Sequence, residues 1–348
     1  MAEKLHSVLI DFIEYCELER GLSPRTGEKY HYRLRRFVDW LQDRYKREAL
    51  ITDVTEENIK EFRLHLHRYE SEQTKKNLSA STQQHYLVAL RSLLRYLKRK
   101  KGFEQLNAED VLLPKAQSHK VTFLNSEQLQ ALFSQPDVRS FMGLRDRAML
   151  ELLFSTGLRV QELINLNCNQ IPKKEGEFSV LGKGGRYRVV FLSESAKNWI
   201  DLYTQRRLDQ WDALILNNRG LKLSAFGYTV TQDSTKRSKG SRIDESSEGG
   251  TIDQFDPEKF RLTVRSVQRL IKKYAKKAGL PVEVTPHVLR HSFATDLLIS
   301  GADLRSVQEL LGHKNVATTQ IYTHVTNQHL RKVYEKYHSK IGEGIEND

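Results

Sequence analysis

Apolar side chains recur at helical spacing through most of this chain and alternate at strand spacing in only one place. That contrast restricts the fold class to a mainly α protein with one small β-hairpin (α+β). Leu5, Val8, Leu9, Phe12 and Ile13 mark a first helix that Gly21 can stop. Ser23 as cap and Pro24 at the first helical position open a second, with Tyr30, Leu34, Phe37 and Leu41 along one face. A third is predicted near 55–69 behind Thr55. The fourth, STQQHYLVALRSLLRYLKRKK, turns Tyr86, Leu90, Leu93, Leu94 and Leu97 inward. Helical pattern returns at NSEQLQALFSQ, capped by Asn125 or Ser126, and at LRDRAMLELLFSTG. The exception is the pair EFSVLGK and RYRVVFL, joined at Gly184-Gly185, where both glycines can take the positive φ of a tight hairpin.

A chain of 348 residues exceeds one average domain, and the pattern suggests two. Residues 1–112 read as a helical domain and 125–348 as a second one. Periodicity lapses from 101 to about 124, around Pro114, and 113–124 is the expected linker. From about 225 to 260 the chain is rich in Ser, Gly, Asp and Lys, as expected of a polar surface loop that buries too little to offset its ordering entropy. Near the end, Leu330, Val333, Tyr334 and Tyr337 form an amphipathic strip within a tail at about 326–348.

Lys and Arg number 56 against 44 Asp and Glu, a formal charge of +12 that attracts polyanions. Arg91, Arg95, Lys98 and Arg99 concentrate one sign on the outer side of the fourth helix. They read either as a stripe for a DNA backbone or as a solvated face. No apolar run approaches the 18 residues of a membrane span, and Cys16 and Cys168 stand far apart without metal-ligand spacing. A reduced, cytoplasmic setting without membrane association is expected.

A series of polar residues runs through the second half. Arg159 follows the helix stop Thr156-Gly157, with Glu162 three residues on and placed to orient it. Lys183 sits beside the hairpin turn. Thr285-Pro286 starts a helix on which His287, Arg290 and His291 share a face, where free N–H groups and a guanidinium attract anions. His313 lies in LLGHK, and Tyr322 comes nine residues later. Taken singly, each has a structural reading: a capping arginine, a solvated turn lysine, a helix pair. His287 and His291 amount to half a metal site, but nothing nearby supplies further ligands, so no metal is expected. GKGG lacks the spacing of a nucleotide-binding loop.

In this order the motifs resemble the catalytic domain of the tyrosine recombinase (phage-type integrase) family, and its bacterial Xer-like members in particular, over roughly residues 120–335. TGLRVQEL, HVLRHSFAT and LLGHKNVATTQIYTHV are the most specific pieces. Residues 1–100 look like the family's N-terminal core-binding domain, through their organisation and the segment TGEKY. The resemblance implies a two-domain DNA clamp and a site-specific recombinase, serving chromosome-dimer resolution or mobile-element integration and excision. It implies that Tyr322 attacks the scissile phosphate to form a 3′-phosphotyrosine, and that Arg159 and Arg290 bind the non-bridging oxygens. Lys183 would protonate the leaving 5′ oxygen, His287 and His313 would assist, and Glu162 would support Arg159. Side chains fill every role, so no cofactor is implied. Double-stranded DNA with paired half-sites is the implied partner, bound by a homotetramer in which the tail reaches a neighbouring protomer, with a paralogue or accessory protein as a further possibility. A monomeric topoisomerase of the same chemistry and a non-catalytic DNA-binding protein are the alternatives. The 225–260 segment is longer than the connection usual in Xer-like members.

Overall fold

A computed structural model describes residues 3–71, 75–115, 122–172, 176–182, 185–219, 221 and 257–312. The chain divides into two compact units, Met1–His119 and Lys120–Asp348.

The first unit holds four helices, α1 (Leu5–Leu18), α2 (Pro24–Tyr45), α3 (Glu56–Arg68) and α4 (Ala80–Lys101). Leu5, Val8, Leu9 and Phe12 of α1 meet Leu34, Phe37 and Leu41 of α2, Phe62 and Leu66 of α3, and Leu90, Leu93, Leu94 and Leu97 of α4 in one core. Ile13 and Tyr30 stay only half-buried at its rim. The Thr55 hydroxyl accepts the Asn58 N–H at 3.2 Å, and Ser79 does the same for Thr82, each satisfying a backbone donor that a helix start leaves free. Ser23 precedes Pro24 as expected, but its hydroxyl faces that of Thr26 at 3.0 Å and bonds no backbone N–H. Gly102, at φ 63°, ends α4 and turns the chain back. The lapse in periodicity beyond it is not free linker: Phe103, Ala108 and Val111 are buried in the first core. Their irregular spacing, around a short 3-10 turn at Ala108–Asp110, hides that burial from a periodic reading.

The second unit contains α5 (Ser126–Phe133), α6 (Phe141–Thr156), α7 (Val160–Ile164), α8 (Glu194–Gln205), α9 (Val264–Lys277), α10 (Pro286–Ile299) and α11 (Leu304–Leu311). Strands β1 (Glu177–Leu181) and β2 (Tyr187–Phe191) make an antiparallel hairpin. Asn125 is the cap of α5, in a reciprocal box with Gln128. The centre is α6, packed between α8 and α10 and buried nearly all round. Even its charges are inside. Arg145 donates to Asp146 at 2.8 and 2.6 Å and to the Leu216 carbonyl at 3.0 Å, while the Tyr274 hydroxyl donates to Asp146 at 2.6 Å and ties α9 to α6.

The hairpin pairs Leu181 with Tyr187, and the Gly182 N–H donates to the Arg186 carbonyl at 2.8 Å. The connection is therefore longer than the Gly184-Gly185 pair. Gly185 takes φ 75°, whereas Lys183 and Gly184 lie outside the described residues. The polar segment expected over 225–260 ends earlier than its composition suggests. Pro257–Phe260 forms a 3-10 turn in which Phe260 is buried and stacked on Trp211, ring centroids 4.4 Å apart. Residues 222–256 and the tail from 313 onward, with its amphipathic strip, lie outside the described residues.

Candidate active site

Gly157 ends α6 at φ 58°, and an added Cβ there would stand 2.5 Å from the ring of Phe293, so the turn needs glycine on both counts. Two residues later Arg159 occupies the N-cap of α7 in extended conformation. Glu162 folds back on it: one carboxylate oxygen accepts the Arg159 backbone N–H at 2.8 Å and the other accepts its Nη1, also at 2.8 Å. The same carboxylate receives both terminal nitrogens of Arg188 from β2, at 2.9 and 2.8 Å. Burial pushes the Glu162 carboxyl up, but the Arg188 hydrogen bond, the Arg159 backbone N–H and the two guanidinium charges outweigh it and hold the group below the usual carboxylate range.

Three guanidiniums then meet the C-terminal end of α11. Arg188 Nε donates to the Leu310 carbonyl at 3.1 Å, Arg290 to that of Leu311, and Arg159 to that of Gly312 at 3.4 Å. The last carbonyls of a helix lack intrahelical donors and carry the negative end of its dipole, which makes them natural seats for arginine. Arg290, 5% exposed, also donates to the Gly157 carbonyl, so it ties the end of α6 to the end of α11. Arg159 and Arg290 are thereby held on neighbouring peptides, though they come from opposite ends of the unit's sequence.

The histidines stand on the same helix as Arg290. Thr285 caps α10 by accepting the Val288 N–H at 3.3 Å, with Pro286 in the first position. Burial, then the charges of Arg290 and Arg159, push the His287 pKa down. For His291, burial, His287 and Arg290 push it down to about 4. Both rings are therefore neutral near pH 7 and able to hydrogen-bond an anion without adding charge. Arg159 and Arg188 share the Glu162 carboxylate, and Arg290 is seated on the carbonyls of Gly157 and Leu311, so three guanidiniums converge on this corner. Converging guanidiniums suit the oxygens of a phosphodiester.

Of the residues singled out from sequence, Arg159, Glu162, His287 and Arg290 are brought together here, while Lys183, His313 and Tyr322 lie outside the described residues. Sequence reasoning missed Arg188. The available signal was its place two residues before buried Val190, on the inward side of an alternating strand where an arginine needs a partner. The basic stripe on α4 is more engaged than a free face. Arg91 donates to the carbonyls of Val111 and Glu109, Arg95 to the Glu109 carboxylate at 2.7 Å, and Lys98 to Asn107 at 2.9 Å; Arg99 is exposed. Among the described residues no group of three or more His, Cys, Asp or Glu could hold a metal ion, and no helix is long and apolar enough to cross a membrane.

Comparison with known proteins agrees with this geometry. The phage integrase family profile matches residues 122–329, and that of the phage integrase N-terminal SAM-like domain matches 9–101. The chain is 34% identical over 342 residues to tyrosine recombinase XerD of Lacticaseibacillus casei, covering 97% of this chain and 100% of that one. It is 35% identical over 331 residues to tyrosine recombinase XerC of Oceanobacillus iheyensis, covering 94% and 95%. In fold it is similar to XerH site-specific recombinase bound to its palindromic difH substrate, with TM-score 0.62 at 21% identity over 93% of this chain and 83% of that one. It is equally similar to the lambda integrase tetramer bound to a Holliday junction, with TM-score 0.62 at 17% identity over 91% and 77%. The chain belongs to the phage integrase family and is a site-specific tyrosine recombinase, an enzyme that breaks and rejoins DNA strands.

Proposed function

We propose that this recombinase cleaves each strand with Tyr322 as nucleophile, on a phosphodiester held by Arg159 and Arg290. The observation that carries this reading is the seating of both guanidiniums on adjacent carbonyls at the end of α11, immediately before His313 in the chain. The Tyr322 hydroxyl oxygen attacks phosphorus, the bond to the 5′ oxygen breaks, and a 3′-phosphotyrosine forms. Lys183 delivers a proton to that oxygen, because an alkoxide leaves poorly at neutral pH. Negative charge concentrates on the non-bridging oxygens in the transition state, where fixed guanidiniums stabilise it more than in the ground state. His287, neutral near pH 7, and His313 hydrogen-bond the phosphate and help move protons, including the one that Tyr322 loses. Attack by a second strand's 5′-hydroxyl on the phosphotyrosine reverses the step on a new partner and conserves the bond.

The exposed cations of α4 contact the DNA backbone in this reading, over a site of paired half-sites. Four copies assemble on two such sites, with the 326–348 tail of each seated on its neighbour. Lambda integrase, similar in fold, is a tetramer on a Holliday junction, which supports the four-copy assembly. Free thiols at Cys16 and Cys168 support a cytoplasmic setting.

The test is a suicide substrate nicked beside the cleavage point, analysed under denaturing conditions. Tyr322→Phe is expected to abolish the covalent protein–DNA band while single-site binding stays within about twofold, since only the nucleophilic oxygen is removed. A full-strength covalent band from that variant overturns the assignment and turns attention to Tyr334 and Tyr337.

A further inference from the structure

We propose that Arg188 is a positioning residue for the general acid: it clamps the hairpin that carries Lys183 onto the two arginine-bearing corners of the site. The proposal rests on the reading of Lys183 as proton donor. Arg188 lies on β2 with its side chain buried, and all three of its donor nitrogens have partners on other elements. Two hold Glu162 of α7, which in turn holds Arg159, and the third holds the Leu310 carbonyl of α11. The fit is close. A Cβ built on Gly312 would stand 2.9 Å from Arg188 Cδ, where φ is also 63°. The base of the hairpin turn closes on the same pair: the Cβ position of Gly182, the residue before Lys183, lies 3.5 Å from Arg188 Nη1 and 3.7 Å from Glu162 Oε1.

The hairpin is a two-stranded sheet, a marginal structure that needs outside anchorage to hold a side chain in place. Phe178 and Val190, a facing pair, anchor its far half in the core, and Val180 is buried opposite Arg188. Arg188 is the polar anchor next to the turn, and its bidentate grip fixes direction as well as distance. Loss of that grip leaves Arg159 with Glu162 and leaves Arg290 on its carbonyls, so the defect falls on delivery of the proton to the 5′ oxygen.

The experiment compares cleavage of a normal phosphodiester with that of a substrate bearing a 5′-bridging sulfur, whose thiolate leaves without a proton. Wild type, Lys183→Ala, Arg188→Ala and Arg188→Lys are each assayed in single turnover. The ratio of the two rates within one variant does not depend on how much of it is folded. On the normal substrate Arg188→Ala is expected to lose about 10- to 100-fold, a fraction of the roughly 10² to 10⁴ of a missing general acid. Sulfur is expected to restore most of that loss, and Arg188→Lys, which lacks the planar fork, to fall between. In a fifth protein carrying both Lys183→Ala and Arg188→Ala the losses should not multiply, because both changes disable one proton transfer. If sulfur rescues Lys183→Ala but leaves Arg188→Ala equally slow on both substrates, the positioning role is overturned. If it fails to rescue Lys183→Ala itself, the reading of Lys183 as proton donor fails instead.

Discussion

The two units treat their charges in opposite ways. In the first, most described ion pairs lie at the surface, such as Arg95 with Glu109, Lys100 with Glu19, and Lys101 with Glu3 and Asp11; Arg47 with the buried carboxylate of Asp53 is the exception. In the second, Arg145 with Asp146, Arg188 with Glu162, and Arg207 with Asp209 are buried. An exposed pair contributes about 0–1 kcal/mol and can exchange its carboxylate for a phosphate at little cost. A buried pair gains little net stability over an apolar one, yet breaking it strands a charge, so its geometry persists. The first arrangement suits a surface that takes hold of DNA and lets go. The second suits a site whose donors must already be in place when charge develops on phosphorus.

This contrast can break most visibly at Arg290. Arg290→Ala is expected to lower cleavage in single turnover by about 10²- to 10³-fold, the effect of losing one preorganised donor, with DNA affinity falling far less. A loss of under tenfold would mean that the carbonyl-seated guanidinium is structural only. Glu162→Gln comes next. It removes the shared negative charge while keeping the shape, and destabilises the fold by roughly 3 kcal/mol in urea unfolding at pH 7. The sign of its pH dependence follows from the lowered carboxyl pKa. The folded form binds its proton less readily than the unfolded one, so this stabilisation is present above the ordinary carboxylate range and disappears as pH falls through the folded value. Wild type and variant should therefore converge in acid; a gap that stays constant would mean packing, not charge, separates them.

Smaller effects test the first unit. Replacing Arg91, Arg95, Lys98 and Arg99 together by Gln should leave stability within about 1 kcal/mol per exposed pair. The slope of log affinity against log salt should flatten by about 0.9 for each phosphate that these cations no longer neutralise. An unchanged slope would show that these side chains serve only the 107–111 segment that three of them bind. The smallest expected effect is a control from the second unit. Lys272 and Glu283 form an exposed pair at 3.0 Å, and Lys272→Ala should change stability by no more than about 0.5 kcal/mol. A larger change would mean that the unit, and not burial, sets the difference.

Local pattern determined a good deal of this protein. The helices of both units, the caps at Thr55, Asn125 and Thr285, the hairpin, and the stop at Gly157 all follow from apolar spacing and backbone preference over a few residues. So does the pairing of Arg159 with Glu162, because residues three apart on a helix start share a face. Only the tertiary structure decided the rest. Phe103, Val111 and Phe260 join cores from segments without periodicity, since burial there depends on what the returning chain meets and not on spacing. The basic residues of α4 read from sequence as one stripe, but three are drawn to the 107–111 segment that folds back alongside them. Arg188 could be read from sequence as inward-facing, but its partners were set only where β2 meets α7 and α11, which supply a carboxylate and a carbonyl. Long-range hydrogen bonds of this kind leave no period in a sequence; they exist only where separate elements end at the same point in space.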